Sequence, residues 1–73
     1  MNLKRTRQEK AAYCRQKAEE LAAEAFSRLE KALRLYGTSS HEEGKGYVIE
    51  ANLIDVIRQQ WIRDAEKLES EKD

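Results

Sequence analysis

Between Arg7 and Tyr36 the chain contains neither glycine nor proline. A run of about thirty residues without a breaker has few alternatives to a single α-helix. The apolar residues in it carry the helical period as well. With Leu21 set at zero and about 100° added per residue, Ala11, Cys14, Ala18, Ala22, Ala25, Phe26, Leu29, Ala32, Leu33 and Tyr36 fall with it inside an arc of roughly 140°. Glu9, Gln16, Glu19, Glu20, Glu24, Ser27 and Lys31 lie outside that arc. A strand would need alternation with period two, and the stretch has none.

The stripe changes along its length. Its first half is small, with Ala11, Cys14, Ala18, Ala22 and Ala25. Its second half is large, with Phe26, Leu29, Leu33 and Tyr36. Small side chains let a second helix come close, near the ~8 Å end of the usual interaxial range. The positions 11, 14, 18, 21 and 25 step by three and four, as in a coiled-coil seam. The next seam position holds Arg28, whereas the apolar residue is Leu29. The expectation is therefore a slip in the heptad and no long regular supercoil.

The first helix is expected over about 3–36. Asn2 offers one cap, and Thr6 with Glu9 offers a capping box, so the start reads as frayed between the two. At the far end Gly37 is placed to take the left-handed conformation that closes a helix. Thr38 to Gly46 is polar and holds the other two glycines, which reads as a loop over 37–46. Ser40 with Glu43 suggests at most one helical turn there, ended by Gly44. A connection of that length exceeds the ~2–8 residues usual between bundle helices and is a candidate contact site.

The second helix is expected over about 47–69. Tyr47, Ala51, Leu53, Ile54, Ile57, Trp61, Ile62, Ala65 and Leu68 fill nearly half its circumference, with Arg58 intruding. Ile49 and Val56 make a second patch behind. Tyr47-Val48-Ile49 is β-branched enough to begin as an extended piece. An acidic tail, 70–73, ends the chain. The apolar surface exceeds what one partner helix covers, so the fold class is all-α, a long helical hairpin pairing into a four-helix-bundle-like dimer. The whole chain, 1–73, reads as one domain, and its starting Met and polar ends suggest a complete small protein.

Seventy-three residues bury only ~60% of their unfolded surface and are marginal alone. Cys14 is the single cysteine and His41 the single histidine, too few for a disulfide or a zinc site. Small chains without such staples often oligomerise, which points to a homodimer. No cofactor is expected. No apolar run is long enough for a membrane span, and the basic start lacks the apolar core of a signal peptide. With a free cysteine, this places the chain in the cytoplasm.

Charge separates the ends. Residues 1–10 carry a net +3 and residues 64–73 a net −3, although the whole chain is neutral. In an antiparallel hairpin the two ends lie together. Helix 1, being longer, is expected to leave its basic start as an overhang. Lys4, Arg5, Arg7 and Lys10 are then candidate phosphate contacts, with Arg15 and Lys17 nearby.

The other chemical candidates are thin. Gly44-Lys45-Gly46 lacks the spacing of a P-loop. His41-Glu42-Glu43 and Ser39-Ser40-His41 have no rigid frame to orient a metal or a nucleophile. Cys14, on the alanine face, reads as a small buried apolar residue. No catalysis is expected. The layout resembles two-helix hairpins that pair into four-helix bundles, such as the Rop family of small RNA-binding regulators. Gln8-Glu9-Lys10 is the one motif carrying that resemblance, and the loop expected here is longer than that family's tight turn.

Two functions follow as expectations. The first is a protein–protein interaction module, an inhibitor, adaptor or assembly factor that binds a larger protein. Its dimer or partner interface would use Ala18, Ala22, Ala25, Phe26, Leu29, Ile49, Val56, Ile57 and Trp61. The alternative is a dimeric nucleic-acid-binding regulator that uses the basic start of helix 1.

Overall fold

The structure is a computed structural model that describes residues 5–71. Two α-helices, α1 (Arg7–Leu35) and α2 (His41–Ser70), pack side by side as an antiparallel hairpin. Its extents are 56 × 25 × 12 Å, so in its thinnest direction it is one helix thick.

Of the two starts weighed for α1, the Thr6 start is used. The Thr6 hydroxyl accepts the Glu9 N–H at 3.1 Å, and the Thr6 N–H donates to the Glu9 carboxylate at 2.9 Å. These bonds satisfy donors that the first turn leaves open. Asn2 lies outside the described residues. At the other end Tyr36 is extended, and Gly37 takes φ +85°. The Thr38 hydroxyl donates to the Leu35 carbonyl and accepts the Ser40 N–H.

The long loop over 37–46 is corrected. α2 begins at His41 rather than Tyr47, and Gly44, Lys45 and Gly46 are helical. Gly44 does not end a turn; it is buried against α1. A Cβ there would meet the Ala32 carbonyl oxygen at 3.3 Å and the Tyr36 ring at 3.2 Å. Close contact between the chain segments compensates for the poor helix propensity of glycine. Tyr47-Val48-Ile49 is helical as well. The two helices are therefore nearly equal, 29 and 30 residues, and among the described residues α1 has no overhang from unequal lengths; residues 1–4 lie outside them.

The seam between the helices is narrow. Ala11, Cys14, Ala18 and Ala32 are buried on α1, and Gly44, Ala51 and Ala65 on α2. No large side chain is fully buried among the described residues. The expected slip at Arg28 is also absent from the burial pattern. Leu21, Ala25, Arg28 and Leu35 are half-buried in line with the buried alanines, while Leu29 is 41% exposed. Arg28 fits because an arginine can be half-buried while its charged head stays at the edge, and here the head reaches Glu50 of α2 at 3.0 Å. Arg58, which intrudes on the apolar face of α2, pairs with Asp55 of its own helix at 2.8 Å.

Candidate functional site

Alanine-on-alanine packing has a direct consequence for the large apolar side chains. The seam is filled by small residues, so the large ones point elsewhere. On α1, Phe26 is 63% and Leu33 73% exposed, with Leu29 beside them. On α2, Ile49, Leu53, Val56 and Ile57 are each more than half exposed.

By helical spacing Phe26 and Leu33 lie towards one broad face, Leu53 and Ile57 towards the other, and Ile49 and Val56 on the back of α2. Phe26 and Leu33 share a flank of α1 with Arg15 by helical spacing, and Arg15 crosses that face to Glu69. Arg28 and Tyr13 lie on the other flank of α1. They reach Glu50 and Trp61, which share a flank of α2 with Ile57 and Leu53. The hairpin thus carries one apolar face on α1 and another on α2. Patches of this kind are uncommon on monomers unless they are used.

The sequence candidates divide accordingly. Ala18 is buried in the seam between the two helices, so it is not on an outer face, and Ala25 is half-buried in line with it. Ala22 is exposed beside Phe26 and Leu29. Ile57 sits on the flank of α2 that carries Glu50, and Ile49 and Val56 lie on the back of α2, away from the seam. Trp61 is half-buried, edge-on to Tyr13 with ring centroids 6.0 Å apart. Leu33 and Leu53 belong to these faces, although periodicity alone put them in the buried arcs.

Among the described residues the basic start is partly engaged within the chain. Arg7 reaches Glu71 at 3.0 Å. The Arg5 guanidinium lies 4.9 Å from the Tyr13 ring centroid, a cation–π distance. Arg15 makes a two-point contact with Glu69. Lys10 is exposed beside a shallow groove of about 440 Å³ lined by Tyr13, Cys14 and Leu68. Lys4 lies outside the described residues. The acidic end therefore meets the basic end, as the charge asymmetry implied.

Two carboxylates are held below their ordinary range. Glu9 is lowered chiefly by the Thr6 backbone N–H and then by the Thr6 hydroxyl. Glu69 is lowered by its hydrogen bonds from Arg15. Both are surface contacts that fix geometry. The His41 and Tyr36 rings lie with centroids 4.8 Å apart and planes tilted by 44°. Among the described residues no three His, Cys, Asp or Glu side chains gather as a metal site would require, and no helix is long and apolar enough to cross a membrane. No protein-family model, curated protein or solved structure matches this chain.

Proposed function

We propose that this protein is a small protein–protein interaction module that acts by occupying a surface of a larger protein, as an inhibitor, adaptor or assembly factor does. It performs no catalysis and works in the cytoplasm. The observation that carries this reading is the inversion of size and burial. Alanine and cysteine make up the buried apolar set, while nine large hydrophobic residues among those described are exposed.

The α1 face suits the larger partner. Phe26, Leu29 and Leu33 recur at three- and four-residue steps, the spacing with which a helix lays apolar anchors into a groove. Aromatic and aliphatic anchors of this size supply most of the binding energy in such contacts. Exposed charges around them contribute orientation more than affinity.

The nucleic-acid reading loses support from the contacts of the basic end. Arg7 and Arg15 are paired with Glu71 and Glu69, acids whose charge opposes a phosphate backbone at that end. The test uses the tagged full chain expressed in its source cells, beside a Phe26→Glu/Leu33→Glu variant. A stoichiometric protein partner held by the first and lost from the second supports the reading. Retention of that partner by the double variant, or tight salt-sensitive binding of mixed RNA or DNA in place of protein, overturns it.

A further inference from the structure

We propose that the protein surface bound by the α1 face is basic: an apolar groove with lysine or arginine at its rim. The inference rests on the reading of this chain as an interaction module and names the chemistry that its partner brings.

The anchors set the place. Phe26 and Leu33 lie one heptad apart, about 20° from each other around α1, and are 63% and 73% exposed. Ala22 lies about 40° from Phe26, on the side towards α2. A notch of about 170 Å³ opens there, with Ala22 on one helix and Ile62 on the other among its walls.

The charges beside these anchors are of one sign once the pairs within the chain are counted. Three charged residues of α1, Arg15, Glu19 and Glu30, lie within about 40° of Phe26. Arg15 is held at two points by Glu69. Glu19 and Glu30 are exposed, and among the described residues neither carboxylate has an ion-pair or hydrogen-bond partner. Arg58, the other cation at the notch, is paired with Asp55. Exposed Glu66 of α2 adds its charge to the field at Arg15 and makes no ion pair itself. Arg34, which is also without an ion pair, lies about 80° from Phe26 on the side away from α2.

This pattern selects among partners. A groove rimmed by carboxylates sets like charge against Glu19 and Glu30, whereas lysine or arginine there pairs with them. The two glutamates are about 16 Å apart along the helix axis, with Phe26 between them. The complementary surface therefore places a cation at each end and the pocket for Phe26 in the middle. Such rim charges govern orientation and encounter rate, and the apolar anchors supply the affinity.

The test uses two synthetic amphipathic helical peptides with the same leucine face. The polar face is lysine in one and glutamate in the other. Each is titrated into the isotope-labelled full chain at low and at moderate salt, and binding is read from backbone amide shifts. The inference expects the lysine peptide to shift Phe26 and Leu33 and to bind more tightly than the glutamate peptide. In Glu19→Gln/Glu30→Gln that binding should weaken by about three- to tenfold at low salt, and moderate salt should weaken it in the native chain. Both substitutions fall on exposed side chains without partners, so the hairpin is kept. Equal binding of the two peptides overturns the inference, as does a lysine peptide that seats elsewhere, fails to bind, or is indifferent to the two substitutions. A captured protein that is lost from Phe26→Glu/Leu33→Glu but held unchanged by Glu19→Gln/Glu30→Gln would sink the inference and leave the functional reading standing. A lysine-selective face on a chain that captures no protein would sink only the functional reading.

Discussion

Arg15 and Glu69 lie 54 residues apart in the chain and meet at two points. Arg15 Nη2 donates to Glu69 Oε1 at 2.7 Å and Nε to Oε2 at 3.0 Å. A guanidinium and a carboxylate match in this fork geometry, and lysine cannot reproduce it. The contact fixes how the open end of the hairpin closes. Arg15→Lys is expected to lower the melting temperature slightly, by no more than a few degrees, because the pair is exposed. Circular dichroism melts in low and moderate salt check this, and the difference from the native chain should shrink as salt rises.

The same contact makes stability depend on pH. Glu69 and Glu9 are both held below the ordinary carboxylate range, by Arg15 and by Thr6 respectively. A carboxylate with a lowered folded pKa binds fewer protons when folded than when unfolded. Its contribution is complete above the unfolded pKa and is lost as pH falls through the folded one. The melting temperature should therefore be nearly flat from about pH 7 to pH 5 and decline in more acidic solution. In Glu69→Gln the decline should be shallower.

Gly44 provides a sharper test of packing. Alanine is better than glycine inside a helix by about 1 kcal/mol. At position 44, however, the added methyl meets the Ala32 carbonyl oxygen at 3.3 Å and the Tyr36 ring at 3.2 Å. Gly44→Ala is expected to destabilise the hairpin by about 1 kcal/mol despite its gain in propensity. Denaturant titration measures it, and a rise in the midpoint would show that the helices do not approach there.

Residues of the seam and of the faces should respond oppositely to substitution. Ala65 is 0% exposed, and Ala65→Leu overpacks the seam at a cost of about 1–3 kcal/mol. Phe26→Ser changes a side chain that is 63% exposed, and in dilute solution it should alter stability by no more than about 0.5 kcal/mol. Equal losses in the two variants would mean that Phe26 is core.

Local chemistry made the helices, the Thr6–Glu9 cap and the Gly37 stop legible in the chain. The start of α2 was hidden because Gly44 and Gly46 look like breakers, and only the approach of Ala32 and Tyr36 shows why Gly44 is helical. Hydropathy also favoured Leu29 over Arg28 in the seam. It takes no account of a half-buried arginine whose head pairs with Glu50 across the hairpin. The two outer faces were half visible. Ile49 and Val56 stood apart by angle, but Leu33 and Leu53 fell in the expected core, because a wheel cannot show how little width a seam of alanines covers.

The measurement that tests the account most directly is photo-cross-linking inside the source cells. A photoreactive phenylalanine analogue replaces Phe26, and the products are identified by mass spectrometry. The account predicts a different, larger protein from position 26. Cross-links from position 26 only to copies of this chain, or to no protein at all, would contradict it.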